Sequence, residues 1–173
     1  MKVNAPEIVH KSDVGGVRLN LRSVAEVEEA YDDIAVAVSR LENKPKSWSV
    51  NLEAMISGGR ELVMGIHADP TFGPLIMVGM GGIYVEVLKD VSFRLAPLAD
   101  TDIESMLTRL RGYPILAGVR GEKSVDFERV TELLFRLSQL ATDFPEIKEL
   151  DINPMLAFPE ASKCVVVDAR IKI

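Results

Sequence analysis

The sequence predicts an α+β (mixed α/β) fold in which a mostly antiparallel sheet is packed by a few helices. Three observations predict it: short apolar runs separated by turn residues, two capped segments with helical spacing, and two strand-like runs facing each other near the C-terminus. At 173 residues and 47% hydrophobic, the chain can bury a core of its own, as one domain or two small lobes. The formal charge of −6 argues against general binding of nucleic acid or an anionic membrane, since either needs a basic face. No apolar run reaches bilayer length and the N-terminus lacks the layout of a signal peptide. The one cysteine, Cys164, cannot form an internal disulfide, so a soluble, reduced, cytoplasmic protein is expected.

Taken in order, Ser23 with Glu26 makes a capping box, and Val24, Val27, Ala30, Tyr31, Ile34, Ala35 and Val38 recur at helical spacing, predicting a helix to about Leu41. Trp48 to Met55 follows as a strand candidate, then the Ser57-Gly58-Gly59-Arg60 turn, whose glycines allow positive φ. Leu62 to Ile66 and Leu75 to Val78, joined by the turn-rich 69–74 segment, continue an antiparallel meander. Gly79-Met80-Gly81-Gly82 is a loop, and Tyr84 to Leu98 is rich in β-branched residues and reads as strand. Thr101 with Glu104 predicts a second capped helix to about Arg111, whose arginines suit its C-terminal end. A stronger helix spans about Asp126 to Thr142, with Val130, Leu133, Leu134, Leu137 and Leu140 as its stripe and Pro145 as its stop.

The last segment carries the most chemistry. Glu149-Leu150-Asp151-Ile152-Asn153-Pro154 and Cys164-Val165-Val166-Val167-Asp168 read as a hairpin around Pro159-Glu160-Ala161-Ser162. Opposed residue numbers then sum to 321, as those of Asn153 and Asp168 do. Because side chains alternate with period two, Asp151 shares the face of Asn153, and two carboxylates and an amide oxygen converge. Such hard oxygens suit Mg²⁺ or Mn²⁺, with waters and substrate phosphates completing the shell. The alternative is a turn begun by Asn153-Pro154 with Asp168 paired to Arg170. Against it stands the cost of burying two acids on paired strands with nothing bound.

Other motifs are weaker alone. His10-Lys11-Ser12-Asp13-Val14-Gly15-Gly16-Val17 joins an imidazole, a cation and a glycine pair whose amides can turn toward an anion, which is the chemistry of a phosphate-covering loop; an ordinary surface turn is the alternative. His10 can accept and release a phosphoryl group, whereas His67 reads as a solvated edge residue. Glu53 and Glu61 flank the Gly58-Gly59 turn, where carboxylates can accept from an adenine amino group or ribose hydroxyls, with Met55 and Ile56 supplying apolar contact; solvent-facing acids are the plainer alternative. Gly79 to Gly82 with Glu86 and Lys89-Asp90 is either a close-approach loop or a bulge corner. Arg94 and Arg120-Gly121-Glu122 read as solvated surface before phosphate or partner contacts.

In this order, His-Lys-Ser-Asp-Val-Gly-Gly-Val, Gly-Gly-Arg-Glu-Leu, Phe-Gly-Pro-Leu-Ile-Met, Gly-Met-Gly-Gly-Ile-Tyr-Val-Glu-Val-Leu-Lys-Asp-Val, Tyr-Pro-Ile-Leu-Ala-Gly-Val-Arg-Gly and Leu-Asp-Ile-Asn-Pro resemble the ATP-grasp domain of ADP-forming acyl-CoA (acetyl-CoA) synthetases. That family is related to the β subunit of succinyl-CoA synthetase and to the ATP-grasp region of some protein acetyltransferases, and the resemblance covers nearly the whole chain. It implies an acid–thiol ligase that interconverts acid, CoA and ATP with acyl-CoA, ADP and phosphate. An acyl phosphate and a phosphohistidine on a CoA-binding α domain or subunit are its intermediates.

Motif by motif, the resemblance implies that Lys2 holds nucleotide phosphates, that His10 is a second phosphorylatable histidine, that Glu53 and Glu61 are the base-side and ribose-side acids, and that Asn153 and Asp168 ligate Mg²⁺ beside Asp151. It implies an ATP-grasp fold, N-terminally truncated, with residues 1–55 as a remnant of the small nucleotide-covering lobe and 56–173 as the larger lobe. Family members usually carry about fifty more residues before Lys2, so the chain reads as a piece of something longer, inactive alone. The usual Gln-Glu of the hinge is here Leu52-Glu53. Two functions are therefore expected in competition: the nucleotide- and Mg²⁺-binding part of an oligomeric synthetase, or a non-catalytic ATP-grasp remnant serving regulation or assembly, for example in a protein lysine acetyltransferase.

Overall fold

The structure, a computed structural model, describes residues 1–8 and 11–173, with Ile83, Tyr84 and Glu86 described by backbone alone. The chain divides into two compact units, Met1–Ser57 and Gly58–Ile173.

In the first unit, β1 (Lys2–Asn4) pairs antiparallel with β2 (Ser49–Asn51), Val3 standing opposite Val50. Helix α1 (Val24–Ser39) begins where predicted: the Ser23 hydroxyl accepts from the Glu26 N–H at 3.2 Å, and the Glu26 carboxylate accepts from the Arg22 N–H at 2.7 Å. Its stripe is narrower than predicted. Ala30, Ile34 and Val38 are buried with Met1, Val3, Ala5 and Ile8, while Val24 is exposed and Tyr31 stacks on Trp48 with ring centroids 5.5 Å apart. The Trp48 to Met55 strand is reduced to the three residues of β2. It pairs with β1 rather than extending the meander, because Leu52, Met55 and Ile56 are exposed and have no apolar face to join.

The second unit is built on an antiparallel sheet in the order β5-β4-β3-β6-β7, with β8 also paired to β6. Its strands are β3 (Arg60–Asp69), β4 (Gly73–Met80), β5 (Val91–Leu95), β6 (Glu149–Ala157), β7 (Val165–Val166) and β8 (Ala169–Lys172). Alternation decides which face is covered. Leu62, Met64, Ile66, Ile76 and Val78 point into one core with Ile103, Met106 and Leu107 of α3 (Asp100–Thr108) and Val130, Leu134 and Leu137 of α5 (Phe127–Asp143). Each such fully buried side chain contributes about 1.5–3 kcal/mol. The opposite face of the sheet is more open: His67, Phe93 and Leu95 are exposed, and Leu75, Met77 and Asp151 are half-buried.

Three predictions change here. The 84–98 stretch contains helix α2 (Ile83–Leu88) before β5, so tertiary context overrides β-branched composition. The cap of α3 lies two residues early, the Asp102 carboxylate accepting from the Ala99 N–H at 2.9 Å, and a short helix α4 (Tyr113–Ala117) was not foreseen. The predicted final strand is two, β7 and β8, separated by Val167-Asp168. Helix α5 begins at the Asp126 cap, whose carboxylate accepts from the Arg129 N–H at 2.8 Å.

The corner between sheet and helices is fixed by Asp90. This buried carboxylate accepts from the N–H groups of Arg111 and Gly112, each at 2.8 Å, in the link from α3 to α4. Two hydrogen bonds satisfy a charge that burial alone would penalise.

Candidate functional site

The oxygen-bearing set lies where β6 meets β8 and the link before it. Observed pairs are Met155 with Val166, Ile152 with Ala169, Asp151 with Arg170 and Glu149 with Lys172, and all sum to 321. The Asn153 N–H donates to the Asp168 carbonyl at 3.1 Å, so the backbone brings these two residues together. Leu150 and Ile152 are buried in the core, which turns Glu149, Asp151 and Asn153 to the open face.

A bulge explains why Pro154 is tolerated inside a central strand. On the β3 side, Met64 faces Ile152 but Leu62 faces Met155, leaving one extra residue on β6 at Asn153-Pro154. Burial alternates up to Asn153, and past the bulge Met155, Leu156 and Ala157 are all buried.

The carboxylates are not sealed in the interior. Asp151 is half-buried and Asn153 and Asp168 are exposed, so the burial cost expected from the sequence is carried by Asp151 alone. Burial pushes the Asp151 carboxyl above its ordinary value, the nearby Glu149 and Asp168 charges add to the rise, and Arg170 opposes it. This concentration of negative charge, with hard oxygens open to solvent, fits a hydrated divalent cation that keeps waters and phosphates in its shell. Among the described residues, no three His, Cys, Asp or Glu side chains gather to enclose a metal.

Glu61, near the start of β3, is held by the glycines after β4. The Gly81 N–H donates to the Glu61 carbonyl at 2.7 Å, and a Cβ on Gly81 would sit 2.7 Å from the Glu61 Cβ. At Gly82, where φ is +59°, a Cβ would lie 3.0 Å from Glu61 Oε2. The loop's close approach is made to Glu61 of the same chain, not to a ligand.

In the first unit, Lys2 Nζ lies 2.8 Å from Glu53 Oε2, both side chains partly exposed. Beyond it, Met55 and Ile56 are 52% and 38% exposed. The 11–16 segment folds on itself: the Gly15 N–H donates to the Ser12 carbonyl at 3.1 Å and the Gly16 N–H to the Lys11 carbonyl at 2.8 Å. These amides have partners without an anion, and Gly16 is needed for packing, since its Cβ would fall 2.4 Å from Val3 Cγ1. Half-buried Lys11 supplies the charge of that loop. His10 lies outside the described residues.

Other candidates recede. His67 is exposed on β3, an interior strand of the sheet, and Cys164 is half-buried with its sulfur 3.3 Å from the Phe158 N–H. Arg94 bonds Ser105 at 2.8 Å, and Arg60 pairs with Glu122. Arg170 was missed opposite Asp151, although the arithmetic that paired Asn153 with Asp168 also finds it.

No helix among the described residues is long and apolar enough to cross a membrane. A family model described as an ATP-grasp domain matches residues 1–173. The chain is 47% identical to the 4-hydroxybutyrate–CoA ligase (ADP-forming) of Nitrosopumilus maritimus over 99% of its length, but spans only 24% of that protein. It is 43% identical to the β subunit of the acetate–CoA ligase (ADP-forming) I of Pyrococcus furiosus, covering 99% of this chain and 73% of that one. Among solved structures, acetyl-coenzyme A synthetase 1 of Candidatus Korarchaeum cryptofilum, in complex with coenzyme A and Mg-AMPPCP and with its phosphohistidine segment pointing towards the nucleotide site, superposes with a TM-score of 0.85. That match is 42% identical and covers 99% of this chain and 74% of that chain.

Proposed function

The chain belongs to the ATP-grasp domain family, and from that membership we propose that it is the nucleotide- and Mg²⁺-binding part of an ADP-forming acyl-CoA synthetase. The observation that carries the proposal is the hairpin register, which sets Asp151, Asn153 and Asp168 on neighbouring positions of an open sheet. The relatives named above, all CoA ligases or synthetases, support it.

In this reading Asp151, Asn153 and Asp168 hold Mg²⁺. Held there, a divalent cation would supply positive charge to offset that developing on the phosphates during phosphoryl transfer. Lys2 and Lys11 neutralise phosphate, with the loop around Gly15 and Gly16 placing Lys11. Glu61 accepts from the ribose hydroxyls, Glu53 faces the base side, and Met55 and Ile56 pack on the base. Lys2 then exchanges its Glu53 partner for phosphate.

The reaction is transfer of the γ-phosphoryl group to a histidine. An imidazole nitrogen forms the new P–N bond, the P–O bond to the β-phosphate breaks, and ADP leaves with that electron pair. His10 serves as a relay, passing the group to the main phosphohistidine of a CoA-binding α partner, where acyl phosphate and then acyl-CoA are made. The first unit belongs to the nucleotide-covering lobe and the second to the larger lobe.

The test is transfer of labelled γ-phosphate from ATP to the protein. Labelling of the wild type and its loss in His10→Ala is the expected result, whereas equal labelling of both removes His10 from the mechanism.

A further inference from the structure

Resting on the nucleotide reading above, we propose that Arg170 is a polyphosphate-binding residue of the site, set beside the metal ligands on the open face of the sheet. Arg170 stands directly opposite Asp151 across β6 and β8, and directly opposed residues project to the same face. It lies two positions from Asp168 and borders a surface cavity of about 500 Å³ with Glu149, Asp151 and Lys172.

A cross-strand ion pair with Asp151 is the ordinary role for an arginine here, and the geometry does not make it. Among the described residues, Arg170 takes part in no ion pair within 4.0 Å. Its side chain is exposed, with its guanidinium donors left to solvent.

Charge accounting explains what such a group is for. Glu149, Asp151 and Asp168 place three negative charges near Arg170 and Lys172. A divalent cation offsets the two aspartates, and the triphosphate it carries still has net negative charge to neutralise. A planar guanidinium with paired donors matches phosphate oxygens better than a point charge does. Lys172, opposite Glu149, lies one further alternation from the ligands and serves as the control.

The experiment is calorimetric titration of the full chain, wild type, Arg170→Ala, Arg170→Lys and Lys172→Ala, with Mg-ATP and separately with adenosine. Arg170→Ala should weaken Mg-ATP about tenfold, leave adenosine within about twofold, and be partly rescued by lysine. Lys172→Ala should stay within about twofold for both ligands. The proposal is overturned if Arg170→Ala binds Mg-ATP as the wild type does, if it weakens adenosine and Mg-ATP alike, or if Lys172→Ala weakens Mg-ATP as much. Failure of the wild type to bind Mg-ATP at all would instead overturn the nucleotide reading on which the proposal stands.

Discussion

Lys2, which stands opposite Asn51 in the β1–β2 pair, forms a 2.8 Å ion pair with Glu53, two residues past β2. An exposed pair of this kind contributes at most about 1 kcal/mol to folding, so its value lies elsewhere. Lys2→Met should lower stability by less than about 1 kcal/mol in a urea titration while weakening Mg-ATP about tenfold, the worth of one charge-assisted phosphate bond. A large loss of stability with unchanged nucleotide affinity would make the pair structural.

The raised carboxyl of Asp151 gives Mg²⁺ binding a pH signature. Metal and proton compete for the same oxygens, so affinity should fall as pH drops through the folded-state value, beginning above the ordinary carboxylate range near ~3.9. For the metal-free chain the sign is opposite. Between the ordinary and raised values the folded state binds more protons than the unfolded one, so stability falls as pH rises through that window. Asp151→Asn should remove both trends, and titrations of Mg²⁺ and of urea across mildly acidic pH read them.

Gly82 has a positive φ that a side chain would strain. An alanine there takes a left-handed backbone at about 1–2 kcal/mol and presses on the Glu61 carboxylate. Gly82→Ala should therefore lower nucleotide affinity in the same direction as Glu61→Gln. Unchanged affinity in Gly82→Ala would separate Glu61 from the nucleotide.

Asp90 is a purely structural acid. Removing it in Asp90→Ala leaves two N–H groups without an acceptor, at a cost of about 2–3 kcal/mol. Thermal melting should show a lower Tm, whereas Asp90→Asn, which keeps one acceptor oxygen, should lose less.

Much of this was legible in the sequence where the signal is local. The cap at Ser23, the start of the long helix near Asp126, the glycine turn before β3 and the hairpin register carry local signals, and each appears as predicted or within a residue or two. What escaped depends on distant chain. Whether 49–51 joins β1 or β3 is decided by which apolar face is free, and the 83–88 segment is helical despite its strand composition. The Lys2–Glu53 pair and the grip of Gly81 and Gly82 on Glu61 join residues that sequence patterns treat separately. The partners of the Gly15 and Gly16 amides likewise emerge only from the closed loop.

The most direct test of the account is calorimetry of the full chain with ATP, with and without Mg²⁺, alongside Asp168→Asn. The account predicts saturable binding in the micromolar to millimolar range that requires the metal and is lost in the variant. Binding indifferent to both Mg²⁺ and Asp168, or no saturable heat under any of these conditions, would contradict it.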